Sequence, residues 1–143
     1  MNFTDAEEKL AKQLKEAGLE WKPEIGDYYL DEDSNIELLT TETMNWWLTG
    51  YYHYSLPVSK KVWLPLWHQS RKRLKDLGWI VVAFFDLEGS VNLRITKEEK
   101  ENPSQALGIE FDTITILESA TDLEAMYKAL LEAQGKNKME VLQ

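Results

Sequence analysis

The chain has 143 residues and a formal charge of −9, from 16 basic and 25 acidic side chains. At 43% hydrophobic and 11% aromatic it can bury a sizeable core, which excludes a disordered chain. It contains no cysteine, so disulfide scaffolds, thiol nucleophiles, redox pairs and thiolate metal sites are excluded.

Elements follow in chain order. The N-terminus is acidic at Asp5, Glu7 and Glu8, where a secretory leader would be basic and then apolar. Thr4 and Glu7 have the spacing of a capping box, and Phe3, Ala6, Leu10, Leu14 and Ala17 predict one buried helix face that ends at Gly18. Ile25 to Leu30 and Ile36 to Thr40 read as two strands of a hairpin around the polar turn Asp31-Glu32-Asp33-Ser34-Asn35. Thr43 to Tyr54, with Trp46, Trp47, Tyr51, Tyr52 and Tyr54, reads as a third strand broken at Gly50. The longest uncharged stretch, Thr43 to Ser59, is too short and too polar to cross a bilayer. The expectation is a soluble cytoplasmic protein.

A second helix is predicted over 64–77, with Trp63, Leu66, Trp67, Ser70, Leu74 and Leu77 toward the core and Gly78 as its stop. Trp79 to Phe85 is apolar throughout, which predicts a central strand covered on both faces. Asp86 to Gly89 makes a turn, and Val91, Leu93 and Ile95 alternate with polar residues as in a half-buried strand. Thr96 to Gln105 reads as a charged loop. Ile109 to Leu117 forms a further strand with a bulge expected near Asp112. A final helix begins at the Thr121/Glu124 capping box, buries Leu123, Met126, Tyr127, Leu130, Leu131 and Ala133, and ends at Gly135.

The fold class is therefore α+β: an N-terminal helix, a short antiparallel three-strand unit, a central helix, a three-stranded antiparallel meander and a C-terminal helix. A single domain, 1–143, accommodates these parts. Residues 1–56 hold the first helix and strand unit, 57–135 the helix–meander–helix core, and 136–143 a tail.

Signatures of catalysis are missing. The sequence has no phosphate loop, dinucleotide glycine pattern, nucleophile elbow or His-Glu-x-x-His. The only histidines are His53 and His68, and His68 and Ser70, two apart on a helix, diverge. No catalytic, cofactor-binding or metal-ligating set emerges. Asp31, Asp33, Asn35 and Glu42 match four positions of a calcium loop, but Ile36 stands where glycine is needed, so a hairpin turn is the better reading.

Two features point to contacts. Between Pro57 and Gly78 six cations, Lys60, Lys61, Arg71, Lys72, Arg73 and Lys75, face one acid, Asp76. His68, Arg71, Lys72 and Lys75 share one side of the helix, a candidate contact for nucleic acid or a protein partner. Trp46, Trp47, Tyr51 and Tyr52 form a candidate partner surface, because adjacent residues of a strand point to opposite faces.

Three blocks carry a resemblance: Ala17 to Asp27, Val62 to Leu66 with Leu77-Gly78-Trp79, and Ala120 to Leu131. In this order they resemble small uncharacterised proteins of bacteriophages and prophages, which implies a bacterial or phage cytosolic origin and carries over no functional residues. The reading is a non-enzymatic accessory protein that acts through protein contact, with a protein partner or a second copy. Its alternatives are nucleic-acid binding through the basic face of helix 64–77, which the overall acidity disfavours, and a carboxylate-dependent hydrolase.

Overall fold

The computed structural model describes residues 2–49, 58–97 and 113–141, with side chains as far as 137. The chain divides into two compact units, Met1–Leu66 and Trp67–Gln143. The architecture is α+β, with four α-helices and two three-stranded antiparallel sheets among the described residues.

In the first unit, α1 (Asp5–Glu16) opens on the expected capping box. The Thr4 hydroxyl accepts from the Glu7 amide, and the Glu7 carboxylate accepts from the Thr4 amide at 2.8 Å. The buried face is rotated from the predicted one. Phe3, Glu7, Ala11 and Leu14 are buried while Ala6 is exposed, because the cap draws Glu7 inward. Gly18, at φ 98°, lies just past the helix end as expected.

Strand β1 (Tyr28–Leu30) is central, between β2 (Ile36–Leu38) and β3 (Val62–Leu64). The hairpin turn is held by Asp31, whose carboxylate accepts from the Asp33 and Asn35 amides, each at 2.9 Å. The third strand is not the one expected. Thr41–Thr49 is a helix, α2, and the strand is Val62–Leu64, which pairs Trp63 with Tyr29. Leu64 precedes Pro65, and that position disfavours helical backbone, so the next helix begins only at Trp67. On α2, Trp47 packs with Tyr29 and Leu39, joined by Trp21 and Met44. Gly50 to Pro57, and with them Tyr51, Tyr52, His53 and Tyr54, lie outside the described residues.

The second unit consists of α3 (Trp67–Asp76), β4 (Trp79–Leu87), β5 (Ser90–Lys97), β6 (Thr113–Ser119) and α4 (Asp122–Val141). The sheet order is β4-β5-β6, so β5 is central and β4 is an edge strand, against expectation. Continuous apolarity does not mean two covered faces here. Trp79 is buried, whereas Ile80, Val82 and Leu87 are exposed. Glu88 and Gly89 both have positive φ and join β4 to β5 as a two-residue turn, narrower than the four residues expected.

Two irregularities shape this sheet. The β4–β5 register shifts between Val81 and Ala83, and the β5–β6 register shifts between Val91 and Leu93. At the second, Glu118 takes φ 59° and its amide donates to the buried Asn92 side chain. Asn92 in turn donates to the Phe85 and Ser90 carbonyls, tying β4, β5 and β6 together. The bulge expected near Asp112, and residues 98–112 generally, lie outside the described residues.

Helix α4 packs on β5, β6 and α3, with Leu123, Met126, Tyr127, Leu130 and Ala133 buried. At its expected capping box the Thr121 hydroxyl accepts from the Glu124 amide at 3.0 Å. The Glu124 carboxylate reaches the Ala120 amide. The helix does not stop at Gly135 but continues to Val141. A lone glycine costs a helix only about 1 kcal/mol, which the packing before it outweighs. Asn137 donates to the Leu77 carbonyl at 2.9 Å and so caps α3, which Gly78 ends at φ 91°.

Candidate functional site

The four predicted contact residues of the basic helix come together. On α3 they stand at positions i, i+3, i+4 and i+7, one stripe of the helix, opposite the buried Ser70 and Leu74. His68, Arg71, Lys72 and Lys75 line an open groove of about 420 Å³ with Trp67, Trp79, Ile80 and Val81. Among the described residues no acidic side chain lines it. Among the described residues, none of the four has a carboxylate within ion-pair distance. In a chain with 25 acids this is a local concentration of uncompensated positive charge.

The aromatic wall is already engaged. The Trp67 ring packs against Phe84 at 5.7 Å and carries the Arg71 guanidinium at 5.4 Å. Trp79 is fully buried beneath the Lys136 ammonium, 5.6 Å from the ring, and its indole Nε1 has no hydrogen-bond partner among the described residues. The groove is lined by residues of α3 and of the edge strand β4.

Lys61 belongs to the first unit, where its ammonium pairs with Glu32 at 3.0 Å and sits over the Tyr29 and Trp47 rings at 5.7 and 5.6 Å. A smaller cleft of about 260 Å³ near it is also lined by Lys15, which donates to the Ser59 and Lys61 carbonyls. Those cations are committed to structure.

The other candidates separate. Trp47 is 2% exposed and belongs to the core, while Trp46 on the same helix is 54% exposed. Of these two, Trp46 is the one placed to meet a partner, because successive residues of α2 point about 100° apart. Of the four calcium-loop positions, Asp31 is occupied by turn amides. Among the described residues no group of three or more His, Asp or Glu side chains converges as a metal site. Asp86 and Asp122 share a hollow of about 130 Å³, below the size of clefts that enclose small ligands, and both are exposed.

Sequence reasoning missed a surface feature as well. Val82 and Leu117, 55% and 58% exposed, belong with Ile80 and Leu87 to apolar surface left open on the β4-β5-β6 sheet. The apolar run of β4 was the available signal, read as interior rather than as edge. Among the described residues no helix is long and apolar enough to cross a membrane. No family model, no curated protein and no solved structure matches the chain.

Proposed function

We propose that this chain is an accessory protein that works by contact with a protein partner, through the edge of its second sheet. One observation carries this reading. Strand β4 is nine residues long and is paired only with β5 among the described residues. Its sequence, Trp79 to Leu87, contains no lysine or proline and one acid, Asp86. Edge strands are commonly protected by such residues because unpaired N–H and C=O groups template further pairing. Exposed Ile80, Val82 and Leu87 add apolar area at the same place. The resemblance to phage and prophage proteins supports a setting in a bacterial cytosol, where such a protein would act on host or phage proteins.

The test is site-specific photocrosslinking in cells, with a benzophenone side chain at position 82 and, as a control, at the exposed position 12 on α1. Discrete protein adducts from position 82 that are absent from position 12 support the reading. Equal or absent adducts from the two positions overturn it.

A further inference from the structure

We infer that the groove between α3 and β4 receives an extended acidic segment of the partner, added as a strand to the β4 edge; this rests on the contact reading above. Three facts meet at this place. Among the described residues β4 is paired along one edge only, the helix beside it presents His68, Arg71, Lys72 and Lys75, and no acid lines the groove between them. Strand addition draws affinity from main-chain hydrogen bonds and specificity from alternating side chains.

The geometry sets the partner's pattern. Along α3 the cations span from position 68 to position 75, a rise of about 10 Å, or roughly three residues of extended chain. Successive side chains of an added strand face opposite sides of the sheet. One set faces α3 and meets the cations. The other set faces the side of Ile80, which points away from the buried Trp79 and is exposed. The segment therefore carries Asp or Glu at two alternate positions and β-branched or aromatic residues between them.

Two other occupants fit less well. Pairing two copies edge to edge would bring two α3 cation rows together, and like charges across an interface are unfavourable. A nucleic-acid strand would want open aromatic faces for its bases. Here the Trp67 ring is already engaged by Phe84 and Arg71, and Trp79 is buried. The charge of −9 also repels an extended phosphate backbone.

The experiment is selection of a random-peptide display library on the full chain, followed by fluorescence polarisation with the selected peptides. The expected result is enrichment of Asp and Glu at alternate positions. Affinity should fall about tenfold or more for Arg71→Glu/Lys75→Glu and also for the charge-neutral Arg71→Gln/Lys75→Gln, both with an unchanged circular dichroism spectrum. N-methylation of alternate peptide amides should weaken binding similarly. Peptides without acidic bias, peptides that bind both variants as well as the parent, or tighter binding of a single-stranded oligonucleotide overturn the inference. If position 82 still crosslinks to protein in that case, the contact reading survives; if it does not, both fall.

Discussion

Replacing Asn92 tests how the second sheet is held. The residue is 2% exposed, and among the described residues its side chain makes three bonds: Oδ1 accepts from the Glu118 amide at 3.1 Å, and Nδ2 donates to the Phe85 and Ser90 carbonyls at 3.3 Å. Asn92→Ala leaves the Glu118 amide without this acceptor, at a cost of about 1–3 kcal/mol, and removes two long neutral bonds near the low end of about 0.5–1.5 kcal/mol each. The expected total is about 2–4 kcal/mol, close to the upper range for single substitutions. Asn92→Asp discriminates further. The introduced carboxylate still accepts from Glu118 but turns its second oxygen toward two carbonyls, so this variant should be less stable than Asn92→Ala at neutral pH. Burial and those carbonyls would raise the folded-state pKa of the new carboxyl, so its stability deficit should shrink on acidification and grow as pH rises through that value. Urea unfolding followed by circular dichroism measures the difference, and faster hydrogen exchange at the Glu118 amide locates it. A loss below about 0.5 kcal/mol for Asn92→Ala, or an Asn92→Asp variant as stable as the parent at pH 7, would refute the bonding pattern.

Other outcomes follow from particular residues. Gly135→Ala should stabilise the chain by about 0.5–1 kcal/mol, because Gly135 lies within α4, lacks a positive φ and has open space where a Cβ would stand; a loss on thermal melting would mean that the helix ends there. Lys61→Met should cost about 1 kcal/mol and change tryptophan emission, since it removes the Glu32 pair and the cation over Trp47; unchanged emission and melting would contradict that placement. The Asn35 amide, aided by the Asp33 amide, holds the Asp31 carboxyl below its ordinary range. Its contribution is therefore present at neutral pH and is lost as pH falls through the lowered value, so melting of Asp31→Asn should fall less than that of the parent on acidification below about pH 4. Identical acid profiles would count against the turn. Val82→Lys should change folding stability by less than about 0.5 kcal/mol, because Val82 is 55% exposed at the register shift; a large loss in denaturant unfolding would show that β4 is covered.

Local chemistry was legible from the sequence wherever an element is decided by its own residues. The Thr4/Glu7 box, the stops at Gly18 and Gly78, the hairpin around Asp31 and the cationic stripe of α3 all depend on neighbours within a turn or two. The site was legible for the same reason, since the spacing of His68, Arg71, Lys72 and Lys75 places them on one helix side before any packing is known.

Tertiary structure decided the rest. An apolar run such as Trp79 to Phe85 has the same sequence whether it lies at the centre of a sheet or at its edge, and only the pairing order β4-β5-β6 places it at the edge. Thr41–Thr49 is a helix and Val62–Leu64 takes the place of the expected third strand because the partner of β1 is chosen by long-range register, not by local propensity. Lys61 and Arg71 are near neighbours in sequence, yet one is held over the rings of the first unit and the other lines the groove of the second. Backbone spacing sets which side chains share a face; which faces are then covered depends on contacts between residues distant along the chain.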